Sequence, residues 1–219
     1  MKNSNGNALF LVLIAVALFA ALSYAVTQTG RGGASVDKEK AGINASQIVQ
    51  YFSAMEAAVN KLKLVNGCTE TQISFQRDWN DSGAVQDIAA DAYNASAPAD
   101  GSCHIFDSNG AAFIYNPMPE GSQTLTSRIA IQDIGTASQD IIAALMDINQ
   151  ATCQEINRGF GIDVIPNDTH GSVMPYFDGT FPASVIVGDE DVNLAGQRSI
   201  CFYDDDHFMY IFYHLMVPR

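Results

Sequence analysis

The stretch on which the predicted fold depends is ALFLVLIAVALFAALSYAV, residues 8–26, a run of 19 residues without a charged side chain. At about 1.5 Å per residue, a helix of this length covers about 30 Å, the thickness of the hydrocarbon core of a bilayer. Leu and Ala also have high helix propensity. The run therefore predicts a transmembrane helix over residues 7–29.

Three interpretations of the chain start remain open. Residues 23–25, Ser-Tyr-Ala, satisfy the small-x-small rule of a secretory signal cut after Ala25, although Lys2 is the only basic residue before the apolar run. A second interpretation is a membrane anchor that stays uncut. In the third, residues 1–6, MKNSNG, are a leader that is removed between Gly6 and Asn7.

The third interpretation carries a family resemblance. A short polar leader with a basic residue and a final Gly, an apolar helix that follows at once and a C-terminal head together resemble a type IV pilin or a type II secretion pseudopilin. The resemblance implies that a leader peptidase cuts after Gly6. It also implies a single pass through the inner membrane before assembly, then an extracellular filament whose core holds the apolar helices and whose heads lie outside, in the periplasm or beyond the cell. In that family, the second half of the helix packs on the sheet of the head.

Two residues depart from the family pattern. The family usually has Phe at the first mature position, where this chain has Asn7, and Glu at the fifth, where this chain has Leu11. That Glu is thought to pair with the terminal amine of a neighbouring subunit, and tip or initiator pseudopilins can lack it. The resemblance therefore implies a minor or tip subunit, with other copies or related pilin-like subunits as its partners.

Glycines separate the apolar run from a second helical pattern. Three glycines in residues 30–33 each cost about 1 kcal/mol in a helix, which predicts a hinge over residues 30–34. The helical pattern resumes near Ser35 or at Asn44, and Gly67 is the expected C-cap. Apolar residues then recur at three- and four-residue steps, which predicts an amphipathic helix over residues 35–66. These residues are Ile48, Phe52, Met55, Val59 and Leu62.

Residues 67–219 are predicted to form a globular α+β head with an antiparallel sheet. Residues 103–106 and 112–115 flank Asp-Ser-Asn-Gly, a hairpin signal. A second helix is predicted over residues 138–158, and surface loop over 161–182. The remaining predicted strands cover residues 126–131, 184–187, 199–203 and 208–215.

Four cysteines, each isolated in the sequence, indicate two disulfides: Cys68, Cys103, Cys153 and Cys201. Four cysteines allow three pairings. Sequential pairing would join each helix end to the strands after it, and each bridge would add about 2–4 kcal/mol of stability. Such spacing favours an oxidising compartment over buried free thiols, and it does not suit a zinc site. The distribution of basic residues points the other way. Only Lys2 precedes the apolar run, whereas Arg31, Lys38 and Lys40 follow it. Because basic residues are enriched on the cytoplasmic side of a membrane segment, this distribution taken alone favours a cytoplasmic body.

Charge and missing motifs exclude several functions. The formal net charge is −13, and residues 64–219 carry five Arg and no Lys against 21 acidic residues, or −16. A body this acidic does not bind nucleic acid. Nucleophile-elbow, zinc-protease and nucleotide-binding motifs do not occur. The four histidines, at 104, 170, 207 and 214, are expected to be structural. We therefore predict a protein that is not an enzyme and needs no cofactor.

Two further groups of residues are weaker candidates for sites. Acidic side chains in two short clusters could hold calcium, a cation that takes oxygen ligands: Asp189 and Asp191 in one, Asp204 and Asp206 in the other. Four N-x-S/T triplets are possible glycan acceptors in an exported protein: Asn44, Asn80, Asn94 and Asn167.

Two functions are carried forward. The first is a structural subunit of a pilus-like or pseudopilus-like extracellular filament. The alternative is a membrane-anchored or secreted, disulfide-stabilised binding domain that does not polymerise, with its acidic loops recognising a cation or a basic partner. An exported hydrolase would rest only on scattered Asp and His residues.

Overall fold

The computed structural model describes residues 10, 12–21, 23, 33–76, 94–136, 138–169, 176–182 and 186–219. The chain divides into two compact units, Met1–Lys40 and Ala41–Arg219. In the first unit, residues 12–21 are helical. The second unit contains the sheet, both disulfides and most of the buried side chains.

The helices are α1 (Gly33–Leu64) and α2 (Gln150–Gly159), with a 3-10 turn at Glu70–Gln72. The strands are β1 (Gln123–Ile131), β2 (Asp140–Ile148), β3 (Asn167–Asp168), β4 (Ile186–Val187), β5 (Ser199–Asp204) and β6 (Met209–Val217). They form one six-stranded sheet in the order β3-β5-β6-β2-β1-β4. The four longer strands pair antiparallel, while β3 pairs parallel with β5 and β4 pairs parallel with β1.

Helix α1 covers most of the segment in which the apolar spacing predicts an amphipathic helix. Its stripe from Ile48 to Leu62 is 0–1% exposed and packs with the inward-facing residues of β2, β5 and β6 in one core. The ring of Phe52 meets that of Phe212 edge-on, with the centroids 5.4 Å apart. After the end of the helix, the amide of Cys68 donates to the carbonyl of Leu62 at 3.1 Å, and Gly67 has a φ of 71°. Gly is favoured at this position because it adopts the left-handed conformation without strain.

The sheet is buried on its other face as well. A second core contains Ile142, Ile200, Phe202 and Tyr213 from the sheet, and the segment around Val187 and Leu194 packs against them. Because β2 lies in the middle of the sheet with side chains buried on both faces, its sequence DIIAALMDI is an almost continuous apolar run.

The cysteines form two disulfides, which confirms that prediction. They join Cys68 to Cys103 and Cys153 to Cys201, the sequential pairing among the three that the count allows. The first connects the end of α1 to the segment before β1, and the second connects α2 to β5.

The predicted single-pass membrane segment, and the inner-membrane location inferred from it, are wrong. Within the part of the chain that the structure describes, none of the helices combines the length and the apolar character that crossing a bilayer requires.

The predicted fold of the head is also wrong in the placement of its second helix and in its sheet. Residues 140–148 belong to the central strand β2, and only residues 150–159 of the predicted helix 138–158 are helical. A fully buried strand and a buried helix give the same apolar run, so periodicity cannot separate them. The sheet is mixed because the two-residue strands β3 and β4 each pair parallel with a longer strand.

Two smaller predictions fail for local reasons. The predicted hairpin at 103–115 contains no strand, and His104 makes one isolated bridge to Ser74. The predicted hinge at 30–34 is helical from Gly33 onward, and Asn44 lies inside α1 instead of at its start. Residues 30–32, and residues 184 and 185 of the predicted strand 184–187, lie outside the described residues, while residues 186 and 187 of that strand form β4.

Candidate functional site

A chain of hydrogen bonds connects α1 to the sheet through side chains that the sequence does not bring together. The imidazole of His214, on β6, lies 2.6 Å through Nδ1 from Ser199 Oγ, on the paired position of β5. Its Nε2 lies 2.9 Å from Glu56 Oε2, on α1. The other carboxylate oxygen of Glu56 accepts from Arg198 Nη2 at 3.1 Å. Glu56 and His214 are 158 positions apart in the chain.

The partners of His214 indicate its protonation state. Burial of the ring lowers the pKa of His214 below its usual value, although the hydrogen bond and the charge of Glu56 act in the opposite direction. A neutral ring with its proton on Nε2 donates to the Glu56 carboxylate, and Nδ1 then accepts from the Ser199 hydroxyl. We assign this tautomer from the two partners.

A serine, a histidine and a carboxylate in this order are also the parts of a nucleophilic triad. Ser199 and His214 are each only 7% exposed, and both side chains face the α1 side of the sheet. A nucleophile needs an open face on which a substrate can lie. The burial of these side chains instead favours a polar connection that fixes the position of α1 on the sheet.

A fully buried carboxylate lies at the start of β2. Asp140 is fully buried, and its oxygens accept from the amides of Arg219 at 2.7 Å and Ile131 at 3.3 Å. Burial raises the pKa of Asp140 to about 6, against the lowering effect of those two hydrogen bonds. The helix predicted over residues 138–158 gives no reason to expect a buried carboxylate at Asp140; an acidic residue that opens a long apolar run is the signal available in the sequence.

The side chain of Asn157, on α2, covers the outer edge of β5. Its Nδ2 donates to the carbonyl of Cys201 at 2.7 Å and its Oδ1 accepts from the amide of Cys201 at 2.8 Å, as a neighbouring strand would do. Asn157 is fully buried. An exposed strand edge can pair with another chain, and this side chain occupies part of the edge that the short strand β3 leaves open.

The predicted calcium residues act mainly as acceptors for nearby backbone amides. Asp204 Oδ1 accepts from the amide of Asp206, and Asp191 Oδ1 accepts from the amide of Asn193. Burial raises the pKa of Asp204, whereas Asp189 and Asp206 lie exposed. Across the described ranges, no three His, Cys, Asp or Glu side chains come together as metal ligands.

The predicted glycan acceptors differ in exposure. Asn44 is 8% exposed and Asn94 is 4% exposed. The Nδ2 of Asn44 donates to Glu120, and that of Asn94 donates to the carbonyls of Thr71 and Ile73. A glycan on either nitrogen would displace these hydrogen bonds. Asn167 is exposed, while Asn80 and the predicted cleavage residues Gly6 and Asn7 lie outside the described residues.

Among the described residues, the apolar surface in contact with solvent includes the following two regions. The first is the apolar segment, residues 10–21, whose described side chains include seven large hydrophobic groups that are 40–76% exposed: Phe10, Val12, Leu13, Ile14, Val16, Leu18 and Phe19. The second is a groove of about 530 Å³ between α1 and α2, called here the α1–α2 groove, with Val49 and Phe160 among its lining residues.

Comparison of the chain with models of known protein families, with curated protein sequences and with solved structures finds no match in any of the three.

Proposed function

We propose that the protein is a structural subunit of a pilus-like or pseudopilus-like filament and that copies assemble through the apolar segment. The observation that carries this proposal is the exposure of the seven large hydrophobic side chains between residues 10 and 19. They occupy every side of a helical run that contains no charged residue.

The energetics of burial favour association over exposure. Complete burial of one large apolar side chain contributes about 1.5–3 kcal/mol. A helix that is apolar on all sides is stable only where other protein or lipid surrounds it. Seven such side chains on one short segment therefore provide a strong drive for copies of the segment to pack together, even after the entropy lost on association is subtracted.

The second unit has properties that suit a subunit head. Helix α1 lies on the sheet along about four helical turns of apolar residues, as the resemblance to pilins implies, and a disulfide follows directly after its end. The second disulfide joins α2 to the sheet. These connections support a head that stays folded while the apolar segment enters an assembly.

The buried polar chain supports a structural role over a catalytic one. Ser199 and His214 have the order of a nucleophile and its base, but both are nearly inaccessible to solvent. Their partner Glu56 belongs to α1, so the chain of hydrogen bonds contributes to the position of the helix on the head.

Electron microscopy of the purified full-length chain tests the proposal. We expect the wild-type chain to form filaments under non-reducing conditions and Val16→Glu to remain dispersed, because the substitution places a charge in the apolar segment. Val192→Glu is the matched control, since Val192 is 86% exposed and lies in the second unit. The proposal is contradicted if the wild-type chain stays monomeric, or if both variants form filaments equally well.

The mature N-terminus provides an independent test. Mass spectrometry of the chain from its natural source should find a protein that begins at Asn7, as removal of a leader after Gly6 requires. A chain that begins at Val26 would instead show a secretory signal, would lack the apolar segment and would contradict the proposal. An intact Met1 would contradict the action of a leader peptidase.

A further inference from the structure

The floor of the α1–α2 groove is built from small residues. Gly42 and Ser46 lie one turn apart on α1, and Gly159 ends α2 on the other side. A Cβ atom built on Gly42 or on Gly159 meets no other atom within 4 Å. Open space therefore lies above both glycines, and small residues at such a place let another helix approach closely.

The walls of the groove combine apolar side chains with one compensated pair of charges. Val49 of α1 and Phe160 after α2 border it, and Phe160 is 42% exposed. The two charged residues that line the groove, Glu155 and Arg158, form an ion pair with each other at 2.5 Å. Since their charges are already compensated, the groove favours an occupant that carries no charge.

The same chain contains a helical segment with that property. The apolar segment has no charged residue, and its large side chains are exposed. By contrast, residues 64–219 carry a net charge of −16, so the apolar segment differs in charge from the body of the protein. An apolar helix in a hydrophobic groove is a common mode of recognition between proteins.

We propose that the α1–α2 groove is the docking site for the apolar segment of a second copy of this chain. This inference rests on the proposed function and adds the surface against which part of the segment packs. Large side chains of the segment fill the space above Gly42 and Gly159, next to Val49 and Phe160.

Substitutions at Gly42 test the groove without disturbing the helix. Gly42→Phe fills the open space, and the structure has room for its Cβ. Gly42→Ala is the matched control, because it also replaces Gly with a residue of higher helix propensity but leaves the groove open. We expect sedimentation velocity to show at least a tenfold weaker association for Gly42→Phe than for Gly42→Ala, with the two variants equally folded by circular dichroism.

Photo-crosslinking identifies the contact directly. Benzoylphenylalanine at position 19, in place of Phe19, should crosslink in the assembled protein to peptides from residues 42–50 or 155–160 of another copy. A mixture of isotopically light and heavy chains identifies crosslinks between copies. Crosslinks only to other parts of the chain, or equal association of both Gly42 variants, would overturn the docking site.

The two proposals fail in different ways. If the wild-type chain does not associate at all, the proposed filament function fails and the docking site fails with it. If the wild-type chain associates and Val16→Glu does not, but position 19 crosslinks only to the apolar segments of other copies, the filament function stands and the docking site is wrong.

Discussion

At the scale of single residues, this fold depends on a few buried polar side chains that connect distant parts of the chain. Asp140 accepts from the backbone at Ile131 and Arg219, His214 connects Ser199 to Glu56, and Asn157 pairs with Cys201. A buried polar group without its partner costs about 1–3 kcal/mol. Asp140 and His214 also titrate, and a rise in pH changes their contributions to stability in opposite directions.

The stability contribution of Asp140 is expected to decrease as the pH rises. Its folded pKa of about 6 lies above the ordinary value of 3.8 for Asp, so the contribution is fully present below about 4 and is lost as the pH rises through 6. Two pKa units correspond to at most about 3 kcal/mol. Urea denaturation should therefore show that Asp140→Asn gains stability relative to wild type between pH 4.5 and 7.5. Asp163→Asn, at an exposed position, should show no such gain. A constant difference between Asp140→Asn and wild type would contradict this prediction.

His214 is expected to have the opposite effect. Burial lowers its folded pKa below the unfolded value of about 6.5, so its contribution is fully present above that pH and is lost on acidification. In His214→Gln, the amide can still donate to Glu56 and accept from Ser199, but it does not titrate. Relative to wild type, this variant should gain stability from pH 7.5 to pH 5. His207→Gln serves as the control because the side chain of His207 is 52% exposed. The prediction fails if the His214 variant changes with pH as wild type does.

At the scale of elements, the interface between α1 and the sheet holds the second unit together. The helix contributes a stripe of fully buried side chains, and Phe52 at its centre packs on Phe212 of β6. Exposure differs sharply between neighbouring positions of this helix, since the next residue, Ser53, is exposed.

This difference within α1 gives a matched pair of substitutions. Phe52→Ala should lower the free energy of unfolding by about 3–5 kcal/mol, because it removes buried ring contacts and leaves a cavity. Ser53→Ala should change it by less than about 0.5 kcal/mol. Chemical denaturation of both variants under non-reducing conditions measures the difference. Similar losses for the two would show that α1 does not pack on the sheet by the face described here.

The elements also show what the sequence could and could not predict. The stripe of α1 and the strands of the β5–β6 hairpin are local patterns, and each falls within an observed element. Strand β2 was predicted as helix because burial on both faces removes the alternation of a strand. Strand β3 has two residues, too few for any pattern, whereas β4 lies inside the strand predicted over residues 184–187.

At the scale of the whole molecule, the contacts that the sequence could not predict are those between distant residues. The cysteine count indicated two disulfides, and their pairing joins segments 35 and 48 positions apart. No spacing rule relates Glu56 to His214, because only the complete sheet brings β6 beneath α1. The predicted membrane span also fails, since none of the helices in the described part of the chain is long and apolar enough to cross a bilayer.

The central claim is that the apolar segment becomes buried between copies of the chain. The four native cysteines form disulfides, so Val16→Cys introduces a single free thiol. The measurement is the rate at which a water-soluble maleimide modifies this thiol in dispersed and in assembled protein. We expect modification of the assembled form to be at least tenfold slower, whereas a thiol introduced by Val192→Cys should react equally fast in both. Equal rates for Val16→Cys in the two forms would contradict the claim.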